Sequence, residues 1–175
     1  MNKYIFGILI CGLMSCETLK IFAQEKDSLA LRREVSFGFG TVSFVDFVAT
    51  IGTFGDYSPG PELHFQYLYN VNKHIGLGVL SIFELFEKSH EGDHGVLVTI
   101  NPVARFYWFN NKHFAMYSKI GVGVLAGIED NVKPIPVFNV VPIGMEFGNR
   151  KWRGFTEIFP IGTLGILNGG VKYSF

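Results

Sequence analysis

Seven charged residues recur along the chain, one for each of seven successive extended segments: Glu62, Glu84, Arg105, Lys119, Glu146, Glu157 and Lys172. Gathered in a narrow interior, such a set could pass ions or relay protons. It could equally pair off and fill the space, because a buried charge is costly unless a partner compensates it. Opposite signs fall on neighbouring segments, Lys119 beside Glu146 and Glu157 beside Lys172, which favours an ion-pair network plugging the interior.

Two other kinds of chemistry would need particular residue sets. Nucleophilic catalysis on a strand needs a serine and a histidine on one face, two residues apart, and none of His64, His74, His90, His94 or His113 has a serine at that spacing. Ser89 and His90 are adjacent, so their side chains diverge and nothing fixes an oxyanion site. Ser89-His90-Glu91-Gly92-Asp93-His94 brings two imidazoles and two carboxylates together, which makes His90 and His94 weak metal candidates. A short polar loop with a central glycine also reads as a solvated turn. No enzyme activity, no metal and no cofactor are expected.

The elements that must position the seven charges alternate with period two. After the N-terminal region, about ten-residue stretches of alternation recur between turn residues, at 35–42, 60–71, 75–88, 95–109, 114–128, 136–148, 153–162 and 166–175. The expected architecture is all-β: an antiparallel up-and-down barrel of about eight strands. An even number lets such a barrel close with both ends on one side. Asn70-Val71-Asn72-Lys73, Asn110-Asn111-Lys112 and Gly148-Asn149-Arg150-Lys151 are short and rich in turn formers. Longer links at 43–59, 89–94, 129–135 and 162–166 alternate with them, as extracellular loops do with periplasmic turns in outer-membrane barrels. Both chain ends are then periplasmic. The stretch Phe44 to Phe54 is too apolar for an ordinary loop and reads as an extension of the first strand.

Face assignment decides between a membrane barrel and a soluble one with an apolar cavity. Val98, Ile100, Phe106 and Trp108 share one face of the fourth strand, while Thr99, Asn101 and Arg105 share the other. The last strand sets Val171, Tyr173 and Phe175 against Gly170, Lys172 and Ser174. A base pointing into lipid at the midplane costs roughly 2–4 kcal/mol, so the charged faces point inward and the apolar faces meet lipid. Glycines at inward positions, Gly38, Gly40, Gly76, Gly78, Gly121 and Gly123, suit an interior only wide enough for side chains. Trp108, Tyr107, Phe109, Phe114, Tyr117, Trp152 and Tyr173 lie near the short-turn ends and are expected to form an interfacial girdle. The seventh strand resists assignment, since Phe155 and Phe159 share a face with Glu157.

Composition agrees with a chain that must cover itself in apolar side chains. Nearly half of its 175 residues are hydrophobic, with 18 Phe, while fifteen basic and fifteen acidic residues cancel. Zero net charge without a basic run gives no reason to expect nucleic-acid binding. Residues 1–24 read as a removed signal peptide: Lys3, an apolar run from Tyr4 to Met14, then cleavage near Ala23 or Gln24. The apolar run is shorter than the roughly 20 residues a spanning helix needs. The competing reading is lipidation at Cys16, since Leu13-Met14-Ser15-Cys16 resembles a lipobox. Ordinary cleavage removes both Cys11 and Cys16 and leaves 25–175 as one thiol-free barrel domain.

The final residues, Asn168-Gly169-Gly170-Val171-Lys172-Tyr173-Ser174-Phe175, resemble the β-signal of outer-membrane proteins. Val141-Pro142-Ile143-Gly144-Met145-Glu146-Phe147, then Trp152 and Phe155-Thr156-Glu157-Ile158-Phe159-Pro160, is similar to a pattern of the small OmpA- and OmpX-like outer-membrane barrels, in particular the "outer membrane protein beta-barrel domain" group. The resemblance covers about residues 33–175. It implies an outer-membrane location and assembly by the barrel-assembly machinery, with Gly170, Tyr173 and Phe175 as the assembly signal. It implies no catalysis. The expected role is structural or interactive, with outer-membrane lipid around the wall and an extracellular ligand open to the surface loops; a narrow channel and, behind it, a lipid-modifying enzyme are the alternatives.

Overall fold

The computed structural model describes residues 33–41, 57–88, 94–127, 134–165 and 167–175. The signal segment with Cys11, Cys16, Ala23 and Gln24, the apolar stretch 44–54, and His90 lie outside the described residues. Of His94 only the backbone is described, at the start of the fourth strand.

Among the described residues nine strands follow in chain order: β1 (Arg33–Gly40), β2 (Tyr57–Asn70), β3 (Ile75–Lys88), β4 (His94–Asn110), β5 (Phe114–Gly127), β6 (Ile135–Gly148), β7 (Trp152–Ile158), β8 (Ile161–Gly162) and β9 (Leu167–Ser174). Sequential neighbours β1 to β7 pair antiparallel, β7 pairs with β9, and β9 pairs with β1, which closes the ring. β8 continues along β6 where β7 leaves off, so β7 and β8 form one stave and the barrel has eight. Closure removes the exposed sheet edges that an open antiparallel sheet would carry.

Local chemistry explains the hairpins. Asn72 Oδ1 accepts from the backbone N–H of His74 and of Ile75, both at 2.8 Å, so one side chain holds the β2–β3 turn. Asn149 Oδ1 does the same at β6–β7, accepting from Lys151 N at 2.9 Å and Trp152 N at 2.8 Å. Alternation then turns alternate side chains inward along each stave; β1 is strictly buried at Glu34, Ser36, Gly38 and Gly40 and exposed between them.

Three irregularities re-aim side chains. A register shift between Tyr107 and Phe109 leaves both Trp108 and Phe109 on the outside. On β6, Pro142 and Ile143 are both exposed where the β5–β6 register shifts; Pro142 has no N–H to place in the ladder, and its carbonyl accepts from Ser118 Oγ at 2.6 Å. Phe159 has φ +52°, in the left-handed region, and this single residue breaks the alternation of the seventh stave. Phe155 and Glu157 therefore stay inside while Phe159 is exposed.

The outer wall is apolar: Phe37, Phe65, Ile100, Val122 and Val171, among others, are exposed along mid-strand. The interior carries most of the polarity, with Glu62, Arg105, Lys119, Glu146, Glu157 and Lys172 all buried. This is the inverse of a soluble barrel with an apolar cavity. A smaller apolar cluster, Leu68, Leu80, Ile82, Val103, Val141 and Leu164, also lies inside. Leu164 reaches it because Thr163, Leu164 and Gly165, in a link expected as an outer loop, turn inward. Asn139 Oδ1 draws them in by accepting from Thr163 N at 2.8 Å, Thr163 Oγ1 at 3.0 Å and Leu164 N at 3.1 Å.

Candidate functional site: the charged lumen

Five staves deliver charges to one cross-section near the short-turn end. Glu146 on β6 is the hub: Oε1 accepts from Arg105 Nη1 at 2.8 Å, and Oε2 accepts from Arg153 Nη1 at 3.1 Å and from Lys172 Nζ. Glu34 on β1 faces it. Its Oε1 accepts from Asn70 Nδ2 at 2.8 Å and lies 3.1 Å from Lys172 Nζ, and its Oε2 accepts from the Tyr107 hydroxyl at 3.1 Å. Arg105 spans the two acids, 3.5 Å from Glu34 Oε2, and also donates to Gln66 Oε1 at 3.2 Å. Arg153 caps the group from the turn end, donating to Asn110 Oδ1 at 3.1 Å and to the Asn111 carbonyl.

A second pair stands beside this one. Lys119 Nζ donates to both oxygens of Glu157, at 2.7 and 3.0 Å. Tyr117 joins the two groups: its hydroxyl donates to Glu157 Oε1 at 2.7 Å, and its ring lies 4.1 Å from the Arg105 guanidinium carbon. Glycine makes room for that ring, since a Cβ at Gly144 would strike it. A Cβ at Gly38 would strike the His64 and Phe155 rings, and one at Gly170 the β1 backbone at Phe37 and Gly38 as well as Phe155.

These are not the pairs that strand adjacency suggests. Lys119 lies opposite Val141, while Glu146 lies opposite Ala115, four residues down β5. Glu157 is opposite Gly144, which is opposite Tyr117, so Glu157 comes within two residues of Lys119 across two strand pairings. Lys172 is opposite Arg153, one diagonal step from Glu146 by way of β7. Register therefore makes Lys119–Glu157 and Lys172–Glu146 the pairs, in place of Lys119–Glu146 and Glu157–Lys172.

Of the seven residues singled out from the sequence, Arg105, Lys119, Glu146, Glu157 and Lys172 come together here. Glu62 and Glu84 are buried further along the lumen, directly opposite each other in the β2–β3 register, with His64 Nδ1 3.9 Å from Glu62 Oε1. Glu62 also lies opposite Gly40, six residues along β1 from Glu34. Glu34 and Arg153 were missed. Glu34 shares its parity with Gly38 and Gly40, and the alternation extended one residue N-terminal of Val35 places it inside. Arg153 opens the stave whose face alternation left undecided.

Tyr107 and Tyr117 correct the expected girdle. They are only 4% and 1% exposed, inside the barrel, because they share the parity of Arg105 and Lys119 and find hydrogen-bond partners there. The other aromatics near the turns do lie on the outer wall; Trp152 and Tyr173 pack with ring centroids 4.8 Å apart, and Phe114 bridges Phe109 and Phe147. Gly170 and Tyr173 sit in β9, and the Phe175 backbone exchanges hydrogen bonds with Arg33 at the β1–β9 seam. His74 and His113 approach backbone carbonyls, of Tyr107 and Gly148 respectively, each at 3.2 Å. Among the described residues no three His, Cys, Asp or Glu side chains converge as metal ligands.

No protein-family profile and no curated protein sequence matches the chain. Among solved structures it is similar to the crystal structure of the N-terminal β-barrel domain of Pseudomonas aeruginosa OprF, with a TM-score of 0.53 and 12% identity over 82% of this chain and 98% of that one. At that identity the likeness is one of fold: this chain shares with that domain a closed antiparallel barrel of eight staves, here with an apolar outer wall and a charged interior.

Proposed function

We propose that the chain is an outer-membrane barrel with a structural or interaction role, presenting its longer loops to the exterior, and that it neither conducts through its lumen nor catalyses a reaction. In this reading residues 1–24 direct export and are removed, the short turns and both ends face the periplasm, and Gly170, Tyr173 and Phe175 serve recognition by the assembly machinery.

One observation carries the non-conducting part: Glu34, Arg105, Glu146, Arg153 and Lys172, from five different staves, are bonded to one another across the interior. An eight-stranded barrel has an interior that side chains can fill, and these occupy it with charges paired across the lumen. Leu164 adds an apolar stopper further along. Planar-bilayer recording of the purified chain is expected to give no stable conductance steps. Large, long-lived steps would replace this reading with a channel.

A further inference from the structure

The end of the barrel that carries the short turns is strongly and one-sidedly charged on its surface. Lys73 in the β2–β3 turn, Lys112 in β4–β5, Arg150 and Lys151 in β6–β7, and Arg33 at the start of β1 are all exposed. None has an ion-pair partner among the described residues. The carboxylates nearest this end, Glu34 and Glu146, are buried in the lumen and already engaged. Among the described residues the rim has no acidic side chain on its surface.

These cations are held as a ring and do not hang on separate flexible loops. Gly148 N donates to the His113 carbonyl at 3.0 Å, which ties the β6–β7 turn to β4–β5. Ser174 N donates to the Lys151 carbonyl at 2.8 Å, and Phe175 N to the Arg33 carbonyl at 2.8 Å, which tie it on through β9 to β1. On the other side the His74 ring meets the Tyr107 carbonyl. Immediately above the ring, on the outer wall, stand Trp108, Phe109, Phe147, Trp152 and Phe175, all exposed. Aromatic side chains in such a belt mark the level of lipid headgroups. The links at the opposite end have the reverse bias in sequence: Asp46, Asp56, Glu91, Asp93, Glu129 and Asp130 against Lys133.

We propose that this basic ring is a docking surface for anionic glycerophospholipid headgroups of the leaflet that the short turns enter. Charge complementarity and continuity with the aromatic belt both select that occupant: the cations sit where phosphates lie, on a surface that cannot leave the membrane. Attraction between basic side chains and an anionic leaflet accumulates residue by residue and falls off within a Debye length, so a ring at headgroup level works at its strongest range. That the leaflet is the periplasmic one rests on the orientation proposed above.

The test is native mass spectrometry of the full chain refolded in detergent and titrated with dioleoylphosphatidylglycerol, dioleoylphosphatidylcholine or lipid A. Phosphatidylglycerol is expected to be retained at least about tenfold over phosphatidylcholine. That preference should disappear in the Lys73→Gln, Lys112→Gln, Arg150→Gln, Lys151→Gln variant, and fall part way in Arg150→Gln, Lys151→Gln, should the fourfold variant fail to fold. Equal retention of the two phospholipids overturns the proposal, as does a preference that survives the substitutions, or tighter capture of lipid A by the same four side chains. A band shift on boiling, read on the same preparations, separates the two levels: an unmodified chain that does not shift sinks the membrane barrel itself, whereas one that shifts and shows no preference sinks only the lipid site.

Discussion

Replacing Glu146 with alanine is expected to lower the unfolding free energy of the barrel by about 3–5 kcal/mol, the cost of leaving buried charge uncompensated. Glu146 contacts Arg105, Arg153 and Lys172 at once, and all three are buried. With it gone, Glu34 is the one carboxylate left to this cluster, against three cations. The loss exceeds what a surface ion pair would show, because neither solvent nor salt can screen the remaining cations. Glu146→Gln keeps the shape and loses the charge, so it should fall nearly as far, whereas removing an exposed cation such as Lys112 should leave stability within about 0.5 kcal/mol. Urea titration in phospholipid vesicles, followed by tryptophan fluorescence, measures all three. A Glu146→Ala barrel as stable as its parent would mean that water compensates these charges, and the lumen would then not be plugged.

The second large effect lies on the opposite face. Val122 is exposed near the middle of β5, level with Phe138 on β6, on the wall assigned to lipid. Val122→Arg should cost about 2–4 kcal/mol of folding free energy in a bilayer, the penalty for a base close to the midplane. Val122→Leu should be near neutral, as one apolar side chain for another in lipid. Equilibrium unfolding in the same vesicles reads both. An arginine accepted here without loss would mean that this wall meets water.

Alternation made the architecture legible, because a membrane barrel needs one apolar and one polar face on every stave and period two states which is which. Asn72 and Asn149 marked the tight turns through a side-chain function that needs no tertiary context. Pairing within the lumen was not legible. Which charges meet depends on stagger between staves, and a β-bulge at Pro142 or at Tyr107–Phe109 shifts stagger by a residue without announcing itself in the pattern. The girdle expectation fails at Tyr107 and Tyr117 because parity, and not proximity to a turn, decides the face, and parity places both beside Arg105 and Lys119. Phe159 hid the face of its stave because a left-handed residue that is not glycine leaves no compositional signal. Leu164 reads as a loop residue until Asn139, some two dozen residues earlier, is seen to hold its backbone inside.

The central claim is that the apolar wall of this barrel faces lipid, and the chain carries its own reporters. Trp108 and Trp152 are its two tryptophans, and both project from the outer wall, 67% and 58% exposed. In vesicles made with brominated acyl chains their fluorescence should be strongly quenched, most of all by bromines placed near the headgroups, and aqueous iodide should have little effect. Strong quenching by iodide with none from the brominated chains would contradict the account.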